Sequence, residues 1–160
     1  MTQTYERFDS EAGYRAAIDT VLSHATRELL IFDADLARMQ LEDPARIALL
    51  RNFLAIAPTP RVRLVLRDTG EITNRSPRLL DLADRYAHAF SIRRAPDNMQ
   101  HLADCHVIAD KLHCVRRFHI DHARGALNTD DPAEVLPWLR RFDELWELSE
   151  PWFGGRKLAV

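Results

Sequence analysis

The sequence predicts an α/β domain with a mixed, mostly parallel sheet and helices on both faces. Two observations support this class: several segments repeat apolar residues at helical spacing, and short runs with strand character lie between them. From residue 10 to residue 94 the two kinds of segment alternate, which is typical of parallel strands joined by right-handed crossovers. The length of 160 residues suits a single domain, residues 1–160.

The first half of the chain contains clear boundary signals. Ser10 is typical of a helix N-cap, and the helix that follows it is expected to end near His24. An apolar run at residues 28–32 predicts a short buried strand. Pro44 favours the start of a second helix, which Pro58 should end.

The second half continues the pattern and then changes it. Residues 61–67 alternate charged and apolar side chains, which predicts a strand with one buried face. Ser76-Pro77 should open a third helix, and Asp131-Pro132 a long final helix that ends before Pro151. The other expected elements are a strand at residues 90–94, a hairpin of strands 105–109 and 112–116, a strand within 119–127, and a tail at 152–160.

Charge and composition exclude several classes of function. The 22 basic and 24 acidic residues give a net charge of −2, which predicts no overall attraction to nucleic acid or to a membrane surface. No apolar stretch approaches the ~20 residues of a membrane span, and residues 1–13 lack the apolar core of a secretory signal. Two cysteines do not make a disulfide framework. We therefore expect a cytoplasmic protein with reduced thiols.

Two segments in the second half carry a resemblance to a known family. Residues 126–132 read Ala-Leu-Asn-Thr-Asp-Asp-Pro, and the following helix contains Phe142 and Trp146 in a Phe-x-x-x-Trp spacing. Together with the Val-Ile-Ala-Asp run at residues 107–110 and the order of the elements, this resembles one half of a phospholipase D-like fold. The resemblance implies a scaffold for phosphate-bearing ligands, and a pairing of two such halves, here as a homodimer.

The chain departs from that family at the catalytic positions. With Asp110 as the aspartate of the family's His-x-Lys-x-x-x-x-Asp motif, the histidine position is Ala103 and the lysine position is Cys105. Alanine cannot attack phosphorus, and a cysteine supplies no fixed positive charge at neutral pH. We therefore expect no catalytic residue, no cofactor and a shallow or blocked cleft. The domain should bind a protein partner or an anionic, phosphate-bearing ligand, and its net charge does not favour nucleic acid.

The cysteines lie in a stretch that is also rich in histidine. Zinc prefers thiolate and imidazole ligands, but the stretch has no Cys-x-x-Cys and no matching histidine pair, so no metal site is expected. If Asp110-Lys111 is a two-residue turn, Cys105 and Cys114 share one face of the hairpin and are core residues. The five histidines of this stretch are His101, His106, His113, His119 and His122.

The same register predicts a polar groove on the other face of the hairpin. His106 and His113 would be diagonal neighbours there, with Asp104 beside them. Arg63, Arg67 and Arg116 lie on or beside neighbouring strands and could converge with the groove into an anion-binding surface. The alternative is a solvated sheet face whose charges protect it against aggregation.

An enzyme is the competing class of function. A divergent phosphodiesterase would use His106 or His113. A metal-dependent hydrolase would instead use Asp33, Asp35 and Asp68, which follow the first two strands, where carboxylates can hold a divalent cation. Either enzyme predicts a pocket in which its histidine or its carboxylates converge with further charged side chains.

Overall fold

A single mixed sheet organises residues 2–153, the part of the chain that the computed structural model describes. The helices are α1 (Glu11–His24), α2 (Pro44–Ile56), α3 (Ile72–Arg75), α4 (Pro77–Arg85) and α5 (Pro132–Leu148). The strands are β1 (Thr4–Phe8), β2 (Glu28–Asp33), β3 (Arg61–Leu66), β4 (Phe90–Arg94), β5 (Cys105–Ala109), β6 (His113–His119), β7 (His122–Thr129) and β8 (Glu150–Pro151). None of these helices is both long and apolar enough to cross a membrane.

The strands lie in the order β1-β7-β6-β5-β2-β3-β4-β8. The predicted class is confirmed: the fold is α/β, with a mixed sheet flanked by helices. Parallel pairing is less extensive than expected, because among the described strands it is confined to β2, β3 and β4. Short turns join β5, β6 and β7, and consecutive strands joined in this way pair antiparallel.

Each face of the sheet has its own apolar core. On one face, here called the α1 face, Ile31 of β2 packs with Ile18 of α1 and with residues of α2 and α4. On the opposite face, the α5 face, Leu30 of β2 packs with Phe142 and Trp146 of α5. β2 is therefore buried on both sides, which explains the apolar run at its residues 29–32.

Side-chain caps begin the helices where the sequence predicts them. Ser10 Oγ and Asp131 Oδ1 each accept a hydrogen bond from the N–H three residues on, at 3.0 and 3.3 Å. Asp43 Oδ1 accepts from the N–H two residues on, at 2.9 Å. Pro44 and Pro132 occupy the first turns of α2 and α5, where a proline removes no helical hydrogen bond.

The two outer strands were not expected from the sequence. β1 is an edge strand with mostly exposed, polar side chains, so it lacks the alternation that identifies a half-buried strand. β8 pairs with β4, and the Trp152 N–H then donates to the Ile92 carbonyl at 2.9 Å. The expected tail therefore begins against the sheet, and its residues 154–160 lie outside the described residues.

The turn between β5 and β6 corrects the expected register. It contains three residues rather than two, and Ala109 pairs with His113. Asp110 and Lys111 adopt left-handed backbone angles, with φ of 57° and 62°, and the Leu112 N–H closes the turn on the Ala109 carbonyl at 3.0 Å. A slip of one residue moves every β6 side chain to the opposite face.

The observed register places on opposite faces the side chains that the expected groove required on one face. Cys105 and His113 face α1, whereas His106 and Cys114 face α5. The two cysteines therefore lie on opposite faces, and so do the two histidines. The prediction of a shared His106–His113 groove is wrong for this reason.

Candidate functional site

The candidate site lies where β5 begins, beside the ends of β2 and β3. A pocket of about 280 Å³ opens there on the α5 side of the sheet. It includes Asp104 and Cys105, the two residues directly after Ala103. The pocket, here called the arginine pocket, is lined by Asp104, Cys105, Arg116, Arg117, Phe118, Trp138 and Arg141.

Arg116 is held in the pocket between two aromatic rings. Its guanidinium carbon lies 4.4 Å from the centroid of the Trp138 ring and 5.4 Å from that of Phe118. Its Nε is buried and has no hydrogen-bond partner among the described residues. Stacking of this kind holds a guanidinium by its planar faces, so that its edges remain available to an acceptor.

The other two arginines of the pocket are paired with carboxylates. Arg141 donates to Asp104 Oδ1 at 2.6 Å. Arg117 is fully buried and binds Glu11 of α1 through two hydrogen bonds, at 2.6 and 3.0 Å. Its hydrogen bond holds the pKa of the Glu11 carboxyl below the ordinary value of 4.5. The Arg117 guanidinium lies on the α1 face with Glu11. Of the two guanidiniums on the α5 face, Arg116 is the one without a carboxylate partner among the described residues, so the pocket carries an excess positive charge.

A buried thiol and a buried carboxyl lie beneath the pocket. Burial raises the pKa of the Cys105 thiol, and the nearby Asp33 carboxylate raises it further. Burial also raises the pKa of Asp33, although the hydrogen bond with Cys105 opposes that rise. At neutral pH, position 105 therefore holds a neutral thiol, which supplies neither a cation nor a thiolate nucleophile.

Arg67 is close to the pocket but supports its wall rather than lining it. It is 4% exposed, and its Nη1 donates to the Asp104 carbonyl at 2.8 Å. Its guanidinium also lies 4.9 Å from the Phe32 ring centroid. Arg67 thus fixes the backbone just before β5.

His106 is adjacent to the pocket but closed off from it. The ring lies between Phe32, Trp138 and Phe142, with centroids at 5.4, 6.5 and 6.0 Å. Neither ring nitrogen has a hydrogen-bond partner among residues 2–153. Burial lowers the pKa of His106 from 6.5 to about 4, so the ring is neutral at pH 7. It is placed as a core residue, out of reach of a bound ligand.

The structure leaves two other predicted site residues away from the pocket. His113 lies near the opposite end of the hairpin, where its Nδ1 accepts from the Asp130 N–H at 3.0 Å and its ring lies 5.0 Å from that of His24. Arg63 stacks on Trp146 at 5.0 Å, near the C-terminal end of α5. Of the six predicted binding residues, Asp104 and Arg116 line the pocket, and Arg67 supports it.

The three aspartates of the metal hypothesis serve as local turn acceptors. Asp33 Oδ2 accepts from the Leu36 N–H at 3.0 Å. Asp35 and Asp68 each accept from the N–H two residues on, at 3.0 and 2.8 Å. Within the described residues, no three His, Cys, Asp or Glu side chains form a group that could hold a metal ion.

Two larger depressions lie elsewhere on the molecule. One, of about 670 Å³, lies at the beginnings of β2 and β3, where Arg61 pairs with Glu28 at 2.8 Å. The other, of about 540 Å³, lies between the loop after β2 and the start of α4. Neither includes a residue from positions 103–105, so the smaller arginine pocket is the candidate site.

Sequence reasoning missed Arg141, Trp138 and Glu11 as residues of the site. The signal for the helical pair was present, because Arg141 lies three residues after Trp138 and thus on the same side of α5. Glu11 gave no such signal, since its contact with Arg117 joins residues 106 positions apart.

The fold is that of the phospholipase D class. The chain is similar to Nuc from Salmonella typhimurium, a phospholipase D family member, with a TM-score of 0.66 and 12% identity over 94% of this chain and 99% of that one. It is also similar to NucT from Helicobacter pylori, with a TM-score of 0.61 and 13% identity over 94% of this chain and 100% of that one. Identities this low show a shared fold alone.

A third similar structure is that of TrmBL2, an archaeal chromatin protein with a novel mode of DNA binding. The TM-score is 0.66 and the identity 14%, over 91% of this chain and 53% of that one, so this chain spans about half of its length. No curated protein matches the sequence. The model of the family described as Domain of unknown function (DUF7931) matches residues 10–158, and the chain belongs to that family.

Proposed function

We propose that this chain is a non-catalytic phospholipase D-like domain that binds a phosphate-bearing anion in the arginine pocket. The observation that carries the proposal is the Arg116 guanidinium, which is stacked between two rings and has no carboxylate partner within residues 2–153. A guanidinium held in this way offers two parallel N–H donors to the oxygens of a phosphate group. It requires little ordering when the ligand arrives.

The absence of catalysis is inferred from the side chains near the pocket. Ala103 and Cys105 stand at the motif's histidine and lysine positions, and the nearest histidine, His106, is buried among aromatic rings. A general base must reach the proton that it removes, and a nucleophile must reach phosphorus. No described residue that lines the pocket is a histidine.

The charge of the pocket favours one class of phosphate ligand. Asp104 balances Arg141 on the α5 face, and Arg117 is paired with Glu11 on the α1 face, which leaves about one positive charge, that of Arg116, for the ligand. A phosphodiester carries a single negative charge and matches that excess. A phosphate monoester carries nearly two at neutral pH, and would need one of the existing ion pairs to open.

Binding can be tested with dimethyl phosphate, the smallest phosphodiester, by following the amide and arginine Nε–H signals of the protein in NMR titrations. We expect saturable shifts at the arginine pocket and a loss of affinity of about tenfold in Arg116→Gln, equivalent to about 1.4 kcal/mol. The matched control is Arg140→Gln, which removes an exposed arginine on the same helix as Arg141. Absence of saturable binding, or equal loss in the control, would overturn the proposal.

Catalysis is tested separately with a chromogenic phosphodiester such as bis(p-nitrophenyl) phosphate. We expect no turnover above that of buffer. Hydrolysis that disappears in both His106→Ala and His113→Ala would overturn the non-catalytic assignment and favour a divergent phosphodiesterase.

We further propose that the protein is a cytoplasmic homodimer. The resemblance implies that two halves pair. This chain covers 99% and 100% of the Nuc and NucT chains, so each chain corresponds to one half, and a pair requires a second copy. The free thiols of Cys105 and Cys114 lie on opposite faces of the sheet, which suits a reducing compartment. Sedimentation at several concentrations tests the dimer, and a monomer at all of them would refute it.

A further inference from the structure

A second basic surface begins at the arginine pocket and crosses the sheet to its β1 edge. Pairing aligns Arg7 of β1 with Ala126 of β7, and Ala126 with Arg116 of β6, so all three lie in one row on the α5 face. Tyr5 and Arg124 lie two residues away from this row along β1 and β7, and therefore face the same way. We call the surface formed by Tyr5, Arg7, Arg116, Phe118 and Arg124 the edge face.

Aromatic and cationic groups alternate along the edge face. The Arg7 guanidinium lies 5.9 Å from the Phe118 ring centroid, and Arg116 lies between Phe118 and Trp138. The order across the sheet is therefore cation, ring, cation, ring. The exposed fractions of Tyr5 and Phe118 are 57% and 42%, which is high for large aromatic side chains.

The edge face is also free of carboxylates at its strand positions. Pairing places Ala126, Asn128 and Cys114 on the same side of the sheet as Tyr5, Arg7 and Arg116. Phe118 and Arg124 lie at an irregularity in the β6–β7 pairing, and the contacts of the Phe118 ring with Arg7 and Arg116 put that ring on the edge face. Glu6 of β1 points to the opposite, α1 face of the sheet. Glu11 also lies on the α1 face, where it is hydrogen-bonded to Arg117. The net charge of −2 for the whole chain thus conceals a local cationic surface.

We propose that the edge face binds single-stranded nucleic acid, with one phosphodiester seated in the arginine pocket. This inference rests on the proposed function, and it names the ligand that carries the phosphodiester. Single strands combine a repeated phosphate charge with bases that stack on aromatic and guanidinium groups. Arg7 and Arg116 are two strands apart, or about 10 Å, so their charges are spread along a path rather than focused on one group. A single lipid headgroup would use the pocket alone.

The experiment measures fluorescence anisotropy of a labelled oligothymidylate, alongside the dimethyl phosphate titration. We expect the oligonucleotide to bind at least tenfold more tightly than dimethyl phosphate. Arg124→Gln should weaken the oligonucleotide several-fold and leave dimethyl phosphate affinity unchanged, whereas Arg116→Gln should weaken both. The slope of log affinity against log salt should fall by about 0.7 for each arginine contact removed. Tyr5→Ala should weaken binding with an unchanged salt slope.

The outcomes separate the two proposals. Dimethyl phosphate binding without tighter oligonucleotide binding overturns the edge face while the pocket stands, and loss of both overturns the pocket as well. Tighter binding to vesicles of phosphatidylglycerol and phosphatidylcholine than to the oligonucleotide assigns the surface to a membrane and refutes the inference. Dissociation of a homodimer by Arg124→Gln or Tyr5→Ala refutes it equally, by assigning the edge face to a second copy. The side chains of Tyr5 and Arg124 are exposed, and Arg140→Gln again serves as the control.

Discussion

Replacing Asp110 with alanine removes a carboxylate that joins the β5–β6 turn to the start of β2. Its oxygens accept hydrogen bonds from the N–H groups of Thr26, Arg27 and Glu28 at 2.8, 2.7 and 3.0 Å, and from the Thr26 hydroxyl at 3.0 Å. Asp110 directly follows β5, at the opposite end of the strand from Cys105. Its contacts hold the turn against the start of β2.

The magnitude follows from these bonds and from the backbone. A net contribution of about 0.5–1 kcal/mol per bond, at the lower end because water can replace the exposed ones, gives about 2–3 kcal/mol. The left-handed φ of 57° costs an alanine about 1 kcal/mol more. We therefore expect Asp110→Ala to lose about 3–4 kcal/mol, which lowers the melting temperature of a chain of this size by about 10 °C.

Urea denaturation followed by tryptophan fluorescence measures this loss in free energy of unfolding. Asp110→Gly removes the acceptors but relieves the backbone, so it should lose less than alanine. Asp110→Asn keeps one acceptor oxygen and tolerates the left-handed region, so it should lose least. If Asp110→Gly lies within about 0.5 kcal/mol of the natural protein, the range of ordinary surface substitutions, the carboxylate does not anchor the hairpin.

Three further predictions concern buried positions. Stability should fall between pH 6.5 and 4 by up to about 1.4 kcal/mol per pH unit, because burial lowers the pKa of His106 to about 4 and the unfolded chain binds a proton that the folded one does not. Urea denaturation at about pH 7 and about pH 5 should show a weaker dependence in His106→Phe, and an equal one would contradict the burial. Asp33→Asn should be neutral or stabilising near pH 7, because burial penalises the charged carboxylate and the amide oxygen can still accept from the Leu36 N–H. A loss above about 2 kcal/mol in the free energy of unfolding, measured in the same assay, would show that the charge is needed. Gly125→Ala should lose about 1–3 kcal/mol in thermal melts, because a Cβ would meet the Phe8 ring and the Arg116 carbonyl, and an unchanged melting temperature would contradict that packing.

Elements with local signals could be predicted, and those that depend on partners could not. Ser10, Pro44 and Asp131 mark helix starts through contacts within a few residues, and all three helices begin where expected. β1 has no apolar alternation, because the side chains of this edge strand are mostly exposed on both faces of the sheet. Its existence depends on hydrogen bonds to β7, from Thr4 opposite Thr129 to Phe8 opposite Gly125, more than a hundred residues along the chain.

The candidate site divides in the same way. Asp104 and Arg116 were predicted because they lie in or directly before the expected hairpin. Arg141 and Glu11 were not, because they reach the site from α5 and α1 across long stretches of chain. The prediction of the groove was wrong because it assumed a two-residue turn. The sequence signal at Asp110 does not distinguish a two-residue from a three-residue loop.

The sequence by itself determined that position 103 offers no nucleophile and position 105 no fixed cation, because alanine and cysteine cannot supply these in any fold. That the Cys105 thiol is not a thiolate nucleophile depends instead on its burial beside Asp33. The sequence also determined the class of fold, since periodicity is a local property of the chain. Only the tertiary structure decided which side chains surround those positions. One additional residue in the turn places Cys114 on the same face as His106, and the packing of α5 places Trp138 against Arg116. Such contacts depend on strand register and on helix placement, which the summed packing of the whole sheet decides.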